Sequence, residues 1–297
     1  MAEVQRPWAV IVHGGAKTID PELFERNRTG CLEAVRAGAD VLQRGGSAVE
    51  AAEAAVRSLE DNPVFNAGYG SVLNTDGAVE MDAAVMDGAN LAVGGVAGVR
   101  RVRNPVSVAR LMLPERPVLL AGEGAERFAS SSGIELCDPD EMISPERLAS
   151  EHVWGHDTVG CVVLDMDGHM AAATSTGGLP GKHPGRIGDS PIPGCGLYAD
   201  DLLGGVAFSG DGESIIRTTL AAHVMRVLES GSANDAAAGS IERLGRVGGE
   251  AGAIVIDRSG QFGVAHNSDH FAIAAWSSRM AAPAAGIHRD ELKESLR

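Results

Sequence analysis

Aromatic side chains are scarce in this chain: six phenylalanines, three tryptophans and two tyrosines in 297 residues. A core with few large rings has to close on small residues. The 39 glycines and abundant alanine suit a layered body in which sheets and helices approach closely. Cysteine is also thin. Cys31, Cys137, Cys161 and Cys195 are scattered without a C-x-x-C pair, which argues against a disulfide framework and for a reducing, cytoplasmic setting. No apolar stretch approaches the ~20 residues that span a bilayer. Residues 8–12 are too short for the apolar segment of a secretory signal, so neither membrane insertion nor export is expected. Positive charge is in short supply: 25 basic against 40 acidic residues, a net charge of −15. Neither half of the chain carries the basic surface that nucleic acid demands.

Several chemical signatures are missing as well. Gly94, Gly95 and Gly98 lack the strand-then-helix setting of a dinucleotide loop. There is no P-loop and no G-x-S-x-G elbow. The nine histidines form no H-E-x-x-H, which argues against a zinc hydrolase.

What is present is a run of short strands and paired helices. Residues 8–12 read as a buried strand. Asp20 before Pro21 reads as a helix start, and Gly45 and Gly46 as its stop. Ser47 and Glu50 form a capping box for a second helix to Leu59. Residues 65–80 read as loop. Residues 81–86 and 91–99 read as paired strands, residues 105–113 as a helix, 117–121 as a short strand and 123–131 as a helix. Residues 135–157 read as a surface connection. Residues 158–165 and 170–174 form a predicted hairpin, and 253–257 with 261–266 a second one. Residue 206 opens a strand to Ser209. Residues 214–228 carry one amphipathic helical period and 234–244 another. The last twenty residues read as loosely ordered. Strands arrive in adjacent antiparallel pairs with helices between them. This predicts an α+β body of two antiparallel sheets covered by helices on their outer faces.

The chemistry-bearing residues gather in the second half. Thr158 opens a strand, and Thr174, Ser175, Thr176, Gly177 and Gly178 follow. A threonine hydroxyl is a weak nucleophile until something takes its proton. A cut between Asp157 and Thr158 would place a free α-amine beside that hydroxyl to act as its base. Arg186 and Asp189 lie three apart on a glycine-bounded loop. Such a pair can grip a zwitterion, guanidinium to carboxylate and carboxylate to ammonium, or can pair with itself at the surface.

Six segments together resemble the plant-type L-asparaginase / isoaspartyl peptidase family of N-terminal-nucleophile hydrolases. They are His13-Gly14-Gly15-Ala16, the stretch from Phe65 to Ser71, the stretch from Met81 to Gly88, Asp157-Thr158-Val159-Gly160, the stretch from Thr174 to Gly178, and the stretch from Gly185 to Pro191. The resemblance runs from about Trp8 to Trp276. It implies a single domain with a four-layer αββα sandwich that cuts itself into residues 1–157 and 158–297. By resemblance, Thr158 is the nucleophile, Thr176 orients it and Asn66 fixes it from the first half. Arg186 and Asp189 clamp the substrate on a loop that includes Ile187 and Gly188. Ser209 and the Gly210 N–H form the oxyanion hole, with Asp211 and Gly212 on the same loop. Backbone carbonyls of Leu59, Glu60, Asn62, Phe65, Ala67 and Tyr69 match the family's loop for a structural sodium ion, and no cofactor is implied for the chemistry. The implied partner is a small amino acid or dipeptide, and the implied assembly a homo-oligomer, a dimer of αβ units.

Three features depart from the family's pattern: serine at 209 where threonine is usual, the acid Asp211, and a short connection before Thr158. His156 and the stretch Ser190 to Pro193 also resemble the glycosylasparaginase branch. A third reading is an uncleaved, non-catalytic binder of β-aspartyl compounds.

Overall fold

Alternate residues of the first strand serve two different cores. Val10 and Val12 enter an apolar cluster with helices, while Ala9 and Ile11 enter another between two sheets. The same division separates Ala83 and Val85 from Ala84 and Met86, and Cys161 and Val163 from Val162 and Leu164. Successive strand side chains point to opposite faces. A strand covered on both faces therefore reads as a continuous apolar run.

The computed structural model describes residues 7–149, 157–288 and 291. Its strands are β1 (Ala9–Lys17), β2 (Met81–Asp87), β3 (Ala92–Val99), β4 (Leu119–Ala121), β5 (Val159–Leu164), β6 (Met170–Thr176), β7 (Leu197–Asp200), β8 (Gly204–Gly210), β9 (Ala251–Asp257), β10 (Phe262–His266), β11 (His270–Ser277) and β12 (Ala284–Gly286). Its helices are α1 (Phe24–Gln43), α2 (Ala48–Glu60), α3 (Pro105–Leu111), α4 (Gly122–Ser131), α5 (Pro145–Ala149), α6 (Gly212–Thr218), α7 (Leu220–Leu228) and α8 (Ala233–Leu244). One sheet has the order β12-β11-β1-β5-β6-β2-β3-β4 and the other β10-β9-β8-β7. Helices α1 and α2 pack on the outer face of the larger sheet, and α7 and α8 on that of the smaller. Helix, sheet, sheet, helix is the expected four-layer αββα order.

Local signals explain several boundaries. Ser47 and Glu50 close the capping box of α2, with Glu50 N–H donating to Ser47 Oγ at 3.3 Å and Ser47 N–H to Glu50 Oε2 at 3.0 Å. Asp20 caps a 3-10 turn, Pro21–Leu23, that leads into α1. The predicted helix start is therefore one tight turn early.

Other expectations are corrected. The larger sheet is not wholly antiparallel, because β4 pairs parallel with β3 at its edge. The helix expected over residues 214–228 breaks at Thr219, which adopts φ 48°, ψ 56°. The first turn of α7 is held elsewhere: Ala221 N–H and Ala222 N–H donate to the carbonyls of Cys195 and Gly194. Strands β7 and β11 were not foreseen. Strand β7 has four residues, and β11 is rich in alanine, which gains strand structure from its neighbours rather than from propensity. The tail is partly ordered, since β12 pairs with β11 and Ile287 is fully buried. Residues 150–156 of the predicted connection lie outside the described residues.

Candidate active site

The two-residue period of the strands decides which polar groups meet. Val162 and Leu164 face the inter-sheet layer, so Thr158 and Gly160 fall on that face. Ala172 places Thr174 and Thr176 there, and Ala207 places Ser209 there. All four hydroxyl residues are buried. They converge at one end of the layer, where β5, β6 and β8 lie side by side or face to face.

The peptide between Asp157 and Thr158 is held along its whole plane. The Asp157 carbonyl oxygen accepts from Thr176 Oγ1 at 2.9 Å and from Asn66 Nδ2 at 3.1 Å. Thr158 N–H donates to Ser209 Oγ at 3.2 Å. That oxygen also accepts from Ala16 N–H at 3.0 Å, which leaves the Ser209 hydroxyl proton available. Thr158 Oγ1 lies 3.2 Å from Ser190 Oγ. Asn66 is itself fixed: its Nδ2 donates to the Gly178 carbonyl at 2.7 Å and its Oδ1 accepts from Val72 N–H at 2.9 Å. Thr176 Oγ1 in turn accepts from Gly178 N–H at 2.9 Å.

The residue before Thr158 is anchored through its side chain as well. The Asp157 carboxylate pairs with the Lys17 ammonium, and both side chains are almost fully buried. Burial raises the Asp157 carboxyl above its usual range, while Lys17 and then Arg147 pull it back. Gly15 adopts φ +116°, and a Cβ there would overlap Asp157 Oδ1, so this position requires glycine. His13 is fully buried, and burial lowers its imidazole to about 3; it is neutral.

Arg186 and Asp189 come together at the mouth of the same cleft, though not as the pair that their spacing suggested. Arg186 donates from Nε and Nη2 to the Glu213 carboxylate at 2.9 and 2.7 Å. Its Nη1 is turned toward Gly188, where an added Cβ would lie 2.9 Å away. Asp189 is buried, its Oδ2 has no hydrogen bond, and burial pushes its carboxyl up to about 7. Gly212 leaves room beside both, since a Cβ there would lie 3.0 Å from Arg186 Nη2 and 3.0 Å from Asp189 Oδ1. Gly210 lines the cleft floor with Thr158 and Ser190. Ile187 is 37% exposed at the rim. Asp211 takes the Ser214 hydroxyl at 2.7 Å and acts on Asp189 through space as a like charge.

The loop carrying Asn66 folds tightly on itself after α2. Gly68, at φ +53°, approaches the Glu60 carbonyl, and Gly70 approaches that of Phe65. The carbonyls of Leu59, Asn62 and Ala67 each accept a backbone N–H within this loop. The carbonyls of Glu60, Phe65 and Tyr69 belong to the same stretch of chain, and neutral oxygen donors are the kind that would suit a hard monovalent cation. Among the described residues no cluster of three or more His, Cys, Asp or Glu side chains could hold a metal.

Sequence reasoning assigned no role to Ser190, Lys17 or Glu213. Ser190 stood inside a recognised motif. Glu213 lies beyond any local spacing signal from Arg186. Lys17 was hidden by an irregularity of β1.

The layers and the buried, pinned threonine define a hydrolase of the N-terminal-nucleophile class. A family model described as asparaginase matches residues 6–152 and 147–284. Isoaspartyl peptidase/L-asparaginase of Danio rerio is 43% identical over 284 residues, covering 90% of this chain and 91% of its own. The Homo sapiens protein of the same name is 41% identical over 286 residues, covering 91% and 90%. Isoaspartyl peptidase of Salmonella typhimurium is 39% identical over 309 residues, covering 95% and 98%. The chain belongs to this asparaginase family.

Proposed function

We propose that the protein cuts itself between Asp157 and Thr158 and then hydrolyses L-asparagine and N-terminal β-aspartyl peptides. The observation that carries this reading is the pair of donors on the Asp157 carbonyl, beside a buried threonine. In the first reaction Thr158 Oγ1 adds to the Asp157 carbonyl carbon, closing a five-membered ring. The negative oxygen is stabilised by the Thr176 hydroxyl and the Asn66 amide. The C–N bond then breaks and the hydroxyl proton ends on the departing nitrogen. Water hydrolyses the resulting ester, leaving an Asp157 carboxylate, a free Thr158 hydroxyl and a free α-amine.

In turnover, that amine accepts the Thr158 hydroxyl proton as the oxygen adds to the substrate's β-amide carbon. The Ser209 hydroxyl and Gly210 N–H support the new oxyanion. The proton passes to the leaving nitrogen, which departs as ammonia or as the next amino acid. Water then releases aspartate from the ester. Arg186 offers Nη1 to the substrate's α-carboxylate, and Asp189 offers its carboxylate to the α-ammonium. This clamp selects a free aspartyl head group and orients its side-chain amide, a contribution that can reach several kcal/mol. A sodium ion on the carbonyls from Leu59 to Tyr69 would stiffen the loop that presents Asn66.

The names of the relatives favour these substrates over glycosylasparagine and over a non-catalytic binder. The test is a time course of purified protein on a denaturing gel, with N-terminal sequencing and assays of ammonia from asparagine and amino acid from a β-aspartyl dipeptide. We expect two fragments, the second starting at Thr158, and both products. A sample that turns over as one intact chain overturns the reading.

A further inference from the structure

Lys17 has no part in the chemistry above, yet its ammonium is buried against the residue that precedes the proposed cleavage point. The backbone of β1 explains how it arrives there. Ala9 and Ile11 face the inter-sheet layer, and an unbroken two-residue period would send Lys17 to that face too. The register of β1 against β11 instead shifts between His13 and Ala16. Ala16 takes the inter-sheet position, and Lys17 flips to the helix side of the sheet. A one-residue irregularity exchanges the faces of everything beyond it. Asp157 is on that helix side as well, one residue out of phase with Thr158 and in phase with Val159 and Cys161, which belong to the helix-side core. The Cys31 thiol of α1 feels both charges, which places the pair beneath that helix.

The hydrogen bonds from Thr176, Asn66 and Thr158 hold the oxygen and the nitrogen of the peptide group, but they leave its plane, which includes the α-carbon of Asp157, free to rock about the line joining those two atoms. The pitch of the carbonyl carbon toward Thr158 Oγ1 depends on that rocking. A second anchor on the side chain removes it.

We propose that Lys17 is a positioning residue for self-cleavage. Its ammonium tethers the Asp157 carboxylate and thereby holds the carbonyl carbon of residue 157 in line with the Thr158 hydroxyl. The inference rests on the self-cleavage reading. It adds to that reading a cation, delivered by the bulge at Gly14 and Gly15, that acts through the side chain next to the scissile bond.

The experiment follows the uncleaved band after rapid purification of the full chain, in parallel with thermal melting. Lys17→Met should slow cleavage on the order of 100-fold, the scale of a misplacement of about 1 Å. Lys17→Arg, which restores a buried cation, should recover most of the rate. Removing one member of a buried pair can also impair folding, so the double variant Lys17→Met/Asp157→Asn removes both charges. It should melt near the wild type and still cleave slowly. A folded Lys17→Met protein that cleaves at the wild-type rate overturns the proposal. So does a double variant that regains the full rate, which would make the pair structural only. A wild-type chain that never cleaves, indistinguishable from Thr158→Ala, would instead sink the self-cleavage reading itself.

Discussion

Replacing Thr176 with valine should stall self-cleavage without changing the shape of the site. Valine is nearly isosteric with threonine, and position 176 is buried, so the change subtracts one hydroxyl. That hydroxyl is one of two donors on the Asp157 carbonyl, at 2.9 Å, the other being Asn66 Nδ2 at 3.1 Å. Losing one preorganised donor to a developing oxyanion typically costs about 3–4 kcal/mol. At about 1.4 kcal/mol per decade, the cleavage rate should fall by a factor of about 100–1000. The same oxygen accepts Gly178 N–H at 2.9 Å, so the variant also strands a buried donor at roughly 1–3 kcal/mol. That second cost is shared by the starting chain and the transition state, and it belongs in the melting temperature rather than in the rate. The assay is the decay of the uncleaved band on denaturing gels, with melting measured on the same samples. Thr176→Ser should restore most of the rate. A valine variant that cleaves within threefold of the wild type refutes the assignment of this hydroxyl to the oxyanion.

Four further outcomes are expected. With the Asp189 carboxyl pushed up to about 7 by burial, a falling pH protonates it and removes the acceptor for the substrate's ammonium. A pH series of kcat/KM should therefore drop about tenfold per unit below roughly pH 7, and a flat profile between pH 5 and pH 8 would contradict the clamp. Gly15→Ala combines φ +116° with overlap of the Asp157 carboxylate, so it should yield an uncleaved chain on the same gels. Arg186→Lys should raise KM more than it lowers kcat, because an ammonium cannot serve Glu213 and a substrate carboxylate through one planar fork; steady-state kinetics separates the two. Thr219→Asn should relieve a left-handed residue worth about 1 kcal/mol and raise the melting temperature by about 2 °C.

The four-layer order was legible because strands buried on both faces leave apolar runs, and because Ser47 with Glu50 marks a helix start without help from tertiary contacts. The break at Thr219 was not legible. Ile215, Ile216, Leu220, Val224 and Leu228 keep one helical period through it, and the force that divides the helix comes from the carbonyls of Gly194 and Cys195, remote from any local pattern. Strand β11 was missed for a similar reason: pairing with the distant β1 makes it a strand, and alanine carries little strand preference. At the site, the family resemblance named Asn66, Thr158, Thr176 and Ser209, and the structure brings them around one peptide bond. Spacing paired Arg186 with Asp189, whereas the folded chain turns Arg186 to Glu213. Lys17 could not be placed by counting, since the bulge ahead of it reverses the count.

The order of the larger sheet has a consequence for the proposed cleavage. Strand β1 comes from residues 1–157, yet both its neighbours, β5 and β11, come from residues 158–297. On the other side of β5, strand β6 of the second piece pairs with β2 of the first. The two proposed fragments would be woven through one another rather than docked side by side: the larger sheet takes strands from both, and only the smaller sheet is complete within residues 158–297. Folding must therefore precede scission, separately produced pieces should not reconstitute by simple mixing, and the nicked protein should melt as one cooperative body with no exchange of halves between molecules.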